Sequence, residues 1–245
     1  HLPEYRELVE HACHDRLIIH HALSMTLVID WEVIAISYVD PRNSDIQMEL
    51  SPDRLRFVLE RPAVEAPGVK WRYCGGATAL LGRLIEKGSG ETLLAYSKRV
   101  LFDPLGFGSA EWTVGHDGEA RADSGLRLLP RDMAKLGELV LAGGTWQGKR
   151  VVPAEWITRI TTPVVAIDAG RSYGYQWYMG DFPAGTPPQP LHWTGGIGWG
   201  GQYLLAFPKR NLVVAINCGN YHRTLAEQNL VARAIVGEVI LPSFG

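Results

Sequence analysis

PGVKWRYCGGATALLGRLIEK, residues 67–87, is the stretch on which the reading of this chain turns. Apolar Ala77, Ala79, Leu80, Leu81, Leu84 and Ile85 recur at helical spacing, which predicts a helix over residues 76–87 that stops at Gly88. Tyr73 stands on the turn just before that helix. A lone tyrosine on a turn is ordinarily a packed ring with a satisfied hydroxyl. A phenol can also act as a base or proton shuttle, but its pKa of about 10 must first be lowered by neighbouring positive charge.

Working outward, residues 2–11 have helical spacing, residues 18–26 read as a short helix running into a loop, and YVDPRNSD (38–45) reads as an irregular surface excursion. Ser51-Pro52-Asp53 is a helix start, with Ser51 as N-cap and Pro52 in the first turn. Further helices are predicted over 92–101, 130–141 and from Pro153 onward, with a strand pair at 111–114 and 125–129 and a tight hairpin around Gln147-Gly148. Beyond Tyr173 the texture becomes extended. YGYQWYM is followed by a Pro/Gly-rich loop (182–190), then QYLLAF, the turn PKRN and LVVAIN. A last helix (224–240) carries Leu225, Leu230, Val231, Ala234, Ile235 and Val239 on one side, read as its core face. Helices followed by an antiparallel hairpin and a closing helix give an α+β class rather than alternating βαβ. The expected organisation is one domain over 1–245, mostly helical to about 172 and sheet-forming with a C-terminal helix from about 173.

The 245 residues carry 24 basic and 26 acidic side chains, with no basic run, so nucleic acid and acidic membrane surfaces are poor partners and a small neutral ligand is a better one. No run of eighteen apolar residues exists to form a transmembrane helix, and the first residues do not read as a signal peptide. Cys13, Cys74 and Cys218 are an odd number at unpatterned spacing, so no disulfide framework is expected and the compartment stays open. His1 in place of Met leads us to expect a fragment or processed chain.

Four segments carry a resemblance. HHALSMT (20–26) is similar to a RHLLSMTSG stretch, with Leu27-Val28 where Ser-Gly is usual. Residues 67–90 match a segment that carries a Tyr-x-Asn or Tyr-Ser-Gly motif ahead of a helix. GLRLLPRDMAKLGELVLAGGTWQGKRVVPAEWI (125–157) is similar to GLRLTPRDLAKLGQLVLNGG. HWTGGIGWGGQYLLAFPKRNLVVAIN (192–217) stands where a Lys-Thr-Gly strand occurs. In that order, they resemble the serine β-lactamase-like superfamily, which includes class C β-lactamases, DD-peptidases, family VIII esterases and 6-aminohexanoate-dimer hydrolases.

The resemblance implies a β-lactamase/transpeptidase-like fold, with an antiparallel sheet flanked by helices and a mostly helical lobe. It also implies an acyl-enzyme mechanism, in which a Ser-x-x-Lys serine attacks an ester or amide carbonyl and Tyr73 manages protons. None of the ten serines here has Lys three residues on, so the nucleophilic pair is expected outside this chain, which by itself is expected to be inactive. Gly75 stands where Asn is usual in the β-lactamases, which favours the esterase and amidase branches. For the third motif two alignments remain open. Trp193-Thr194-Gly195 can replace Lys-Thr-Gly, or Trp199-Gly200-Gly201 with Gln202 can take that part. Either would line the acyl pocket and offer an N–H to the oxyanion. No metal or organic cofactor is required by such chemistry, and the partner is a small ester or amide, β-lactams included. A non-catalytic penicillin-binding-like module is the alternative, suggested by the missing Ser-x-x-Lys and the tryptophan in place of the strand lysine.

Other motifs in the sequence carry weaker readings. Cys74 as a substitute nucleophile has no histidine assignable beside it, and a small buried cysteine is commoner. GxGxxG at 196–201 opens into an extended segment rather than a helix, against a dinucleotide site. His11, Cys13, His14, His20 and His21 lack a standard zinc spacing. No GxSxG elbow occurs.

Overall fold

The structure, a computed structural model, describes residues 2–9 and 17–244, and its chain divides into two compact units. The first comprises His1–Asp103 and Ser109–Arg127, the second Pro104–Gly108 and Leu128–Gly245.

The first unit is mostly helical. A 3-10 turn (Pro3–Tyr5) leads into α1 (Arg6–Val9), and the predicted continuation to His11 lies outside the described residues. After α2 (Ile19–Leu23) comes α3 (Ser44–Leu50), a helix the sequence reading missed. Asn43 starts α3 by accepting hydrogen bonds from the Asp45 and Ile46 N–H groups. The next helix, α4 (Arg54–Leu59), begins two residues later than expected, because Asp53 rather than Ser51 caps it, accepting from the Arg56 N–H. Helix α5 (Gly75–Ser89) ends at Gly90, whose φ of 72° makes it the left-handed terminator assigned above to Gly88. Thr92 caps α6 (Leu93–Ser97), which runs into a π-helical turn, Lys98–Phe102. β1 (Ala110–Trp112) pairs with β2 (Leu126–Leu128). Trp31, Met25, Ile29, Met48, Val58 and Ala77 are buried.

The second unit is built on a six-stranded sheet in the order β10-β9-β8-β7-β6-β5, its described pairings all antiparallel. Helix α7 (Pro130–Leu141) has the predicted bounds and packs on strands β9 (Gln202–Phe207) and β10 (Leu212–Ile216). The hairpin β3 (Thr145–Trp146) to β4 (Lys149–Arg150) turns through Gln147 and Gly148, both at positive φ. After α8 (Ala154–Ile160), β5 (Val165–Asp168) and β6 (Arg171–Tyr173) start the sheet earlier than the sequence texture suggested.

The predicted loop at 182–190 is mostly strand. β7 (Tyr178–Ala184) and β8 (Gln189–Gly198) pair Phe182 with Leu191 and Pro183 with Pro190, leaving a turn of only residues 185–188. The buried Phe182 and Leu191 side chains hold this register despite the prolines. Thr224 caps α9 (Leu225–Ala234), which continues through a π-helical segment (Ile235–Ile240) into α10 (Leu241–Ser243). Its inward face is the reverse of the one expected. Gln228, Ala232, Val236 and Leu241 are buried, whereas Leu230, Val231 and Val239 are 67%, 50% and 61% exposed.

Candidate active site residues

Tyr73 is half-buried, two residues before the first residue of α5. The turn that presents it hangs from the segment after α2. The Arg72 N–H donates to Met25 O at 2.9 Å, the Gly68 N–H to Thr26 O at 2.9 Å and the Val64 N–H to Val28 O at 2.9 Å. Arg72 Nε also donates to Trp31 O at 2.9 Å. The HHALSMT stretch and the Tyr73 segment are therefore one locally bonded assembly. Val28, standing where the resemblance has glycine, adopts φ 53°, the left-handed region that a β-branched residue rarely enters. This strain is held in place by burial and by the bond to Val64.

The residues flanking Tyr73 are packed tightly. Cys74 is 2% exposed, and burial pushes its thiol well above the ordinary range, so it is held as a neutral thiol. A side chain on Gly75 would meet Asp45 Oδ1 at 2.5 Å, and one on Gly76 would meet Val58 and Trp31. These close approaches require glycine whatever else the positions do.

In the second unit, β8 runs between β7 and β9 and carries the Trp193-Thr194-Gly195 alignment. Its side chains alternate between faces. The indole of Trp193 is 3% exposed and lies in the core with Phe182, Phe207, Ala232 and Val236. His192 and Thr194 point the other way, into a cavity of about 240 Å³ lined also by Val140 and Leu141 of α7, Ile157 and Thr161 near the end of α8, and Pro208 and Asn211. Thr194 Oγ1 is buried there without a hydrogen-bond partner among the described residues. At Gly195 a β-carbon would collide with the Leu204 carbonyl of β9. β7 pairs with β8 only over residues 189–195, so Gly196, Ile197 and Gly198 run on with β9 as their one strand neighbour among the described residues. The space at Gly196 is open.

The second alignment lies at the tip of the same hairpin. Trp199 is half-buried, and Gly200 and Gly201 are buried with φ 85° and 87°. The Gly200 N–H donates to Gln228 Oε1 at 2.8 Å, and its carbonyl accepts from the Asn220 N–H. Gln202 Nε2 donates to Cys218 O, and its Oε1 accepts from the Cys218 N–H at 3.2 Å. Both alignments therefore fall on one hairpin, with Trp193 in the core, Thr194 in a cavity, and Gly200 and Gln202 fixing the tip. Gly196 was absent from the sequence-based set. The signal for it was the excess of glycine at 195, 196 and 198.

Of the histidine–cysteine set, His11, Cys13 and His14 lie outside the described residues. His20 and His21 stand on α2 with ring centroids 5.9 Å apart. Tyr173 and Tyr178 stack edge to face at 4.8 Å, and burial pushes the Tyr178 phenol up to about 12 and that of Tyr173 well above its usual value. The GxGxxG stretch is a strand-to-strand turn. No described helix is long and apolar enough to cross a membrane.

The chain is 27% identical to a 6-aminohexanoate-dimer hydrolase of Paenarthrobacter ureafaciens over 59% of its own length and 38% of the relative's. It is 29% identical to a lovastatin esterase of Penicillium rubens over 44% of its length and 25% of the esterase's. A Bacillus anthracis structure assigned as a 6-aminohexanoate-dimer hydrolase superposes with a TM-score of 0.74 at 19% identity, over 96% of this chain and 65% of that one. The chain thus spans less than two thirds of the length of each of these relatives. The Beta-lactamase family model matches residues 15–236, and with the mixed helical and antiparallel-sheet fold this match establishes that the chain belongs to the beta-lactamase family.

Proposed function

We propose that this chain is the C-terminal portion of a serine hydrolase that cleaves ester or amide bonds through an acyl-enzyme, with the nucleophilic serine and its lysine lying outside the chain. The observation that carries the reading is the extension of β8 beyond β7, where Gly196, Ile197 and Gly198 keep one strand neighbour among the described residues and the space at Gly196 is open. An N–H on that unladdered side is suited to an oxyanion, because a backbone donor fixed by a sheet needs no reorganisation as charge develops. The Gly200 N–H, already bonded to Gln228, serves instead to hold the tip. Thr194 and its cavity would take a small acyl or amine group, with the hydroxyl as its polar contact.

Tyr73 is assigned the proton transfer, with the positive charge that activates the phenol coming from the lysine outside the chain. The two relatives, a 6-aminohexanoate-dimer hydrolase and a lovastatin esterase, support this substrate class over β-lactams. The test is a substrate panel on the polypeptide carrying this chain and its encoded upstream segment. Short p-nitrophenyl esters and linear amides should turn over at least about tenfold faster than a chromogenic cephalosporin, and Tyr73→Phe should lower kcat by about 10²-fold or more with little change in KM. Preference for the cephalosporin would overturn the substrate class. A second reading, a non-catalytic ligand-binding module, is favoured by the absence of Ser-x-x-Lys, and would give saturable ligand binding with no turnover.

A further inference from the structure

Two carboxyl groups from distant parts of the sequence converge on the head of α5. Asp45 is buried. Its Oδ1 accepts from Trp31 Nε1 at 2.9 Å and its Oδ2 from the Tyr38 hydroxyl at 2.6 Å, and the Gly75 N–H acts on the same carboxylate to hold its pKa down. The absent β-carbon of Gly75 marks a point 2.5 Å from Asp45 Oδ1 and 3.2 Å from Asp123 Oδ2. Asp123 Oδ1 is buried with no hydrogen-bond partner among the described residues. The neighbouring cation is committed elsewhere, since Arg54 binds Asp117 at 2.8 and 3.0 Å and Glu49 at 3.3 Å. Arg121 pairs with Glu49.

A helix N-terminus favours one negative charge, and Asp45, with the Trp31 and Tyr38 donors, is placed to carry it. Asp123 beside it is half-buried, with its Oδ1 shut away from solvent and unpartnered among the described residues and only its own backbone N–H acting as a donor to hold charge on the carboxyl, so it keeps its proton. We infer that Asp45 and Asp123 form a half-neutralised carboxyl clasp at the head of α5, which positions the turn bearing Tyr73. Both are positioning residues that flank the Gly75 backbone at the first turn of α5. The clasp rests on the proposed role of Tyr73 only for its functional meaning.

Burial, then the charges of Asp45 and Glu49, push the Asp123 carboxyl up to about 7, and burial also raises Asp45. Arg54 works against the Asp123 shift, and the buried Cys74 thiol stays neutral beside the pair. The clasp should therefore open as pH rises through neutrality.

The test uses this chain labelled with 13Cζ-tyrosine and 15N-indole tryptophan, with Tyr73 and Trp31 assigned from Tyr73→Phe and Trp31→Phe. Between pH 5 and 9 the two resonances should shift with one common midpoint near 7. Asp123→Asn should abolish that midpoint, whereas removing the exposed Arg42–Asp40 pair by Arg42→Ala should leave it in place. Flat resonances in the wild-type chain, or a midpoint that survives Asp123→Asn, would overturn the clasp. If Asp123→Asn does not fold, the wild-type titration still decides. Failure of Tyr73→Phe to lower turnover would overturn the catalytic reading and leave the clasp standing.

Discussion

At the scale of single residues, Asp123 makes a pH-dependent contribution of definite sign. Its folded-state pKa, about 7, lies above the ordinary value of 3.8, so between those limits the folded chain binds more protons than the unfolded one. Stability from this group is present below about 4 and lost as pH rises toward 7. Asp123→Asn, which keeps the shape and supplies donors toward Asp45, should flatten that decline, so that its urea midpoint exceeds wild type at pH 8 and approaches it at pH 5. A parallel decline in both proteins would refute the assignment. Tyr73 and the glycines that support it were legible because residue type alone marks a turn and close approach. The carboxyl pair was not, because Asp45 and Asp123 are far apart in sequence and converge only when α3 and the segment before β2 both pack against α5.

Among the elements, β8 separates two roles that its sequence could not. Trp193 reads equally well as a ligand contact or a core residue, and alternation along β8 puts its indole among Phe182, Phe207 and Val236. Trp193→Ala should cost about 3–5 kcal/mol in denaturant unfolding, the range for a large buried aromatic, while Trp193→Phe should cost much less. A loss below about 1 kcal/mol would mean the ring is not core. Helix α7 was legible to the residue because its Pro130 start and its periodic apolar face agree. α3 escaped because its cap, Asn43, follows a proline-containing polar run that reads as loop. β7 and β8 were shortened in the reading because Pro183 and Pro190 suggest a break, whereas here they pair with each other. The last helix was read with the wrong face inward. Leu230, Val231 and Val239 point outward while Ala232, Val236 and the bonded Gln228 face inward, where Gln228 ties the Gly200 turn.

For the whole molecule, fold class and family were carried by four segments in a fixed order, a signal that survives low identity because each segment meets a local geometric need. The Tyr73 turn needs the glycines of α5, and the β8–β9 hairpin needs left-handed Gly200 and Gly201. Substrate was not legible, because no motif encodes the shape of a pocket, and residues as far apart as Val140, Ile157 and Thr194 come to line one cavity only once β8, α7 and α8 have packed. The central claim, acyl-enzyme chemistry with Tyr73, is tested most directly by intact-mass measurement after treatment with a fluorophosphonate. The polypeptide carrying this chain together with its encoded upstream segment should gain one phosphonyl adduct on a serine followed three residues later by lysine. Tyr73→Phe should slow that labelling by about 10²-fold or more. No adduct despite an intact Ser-x-x-Lys, or labelling of Tyr73→Phe at the wild-type rate, would contradict the account.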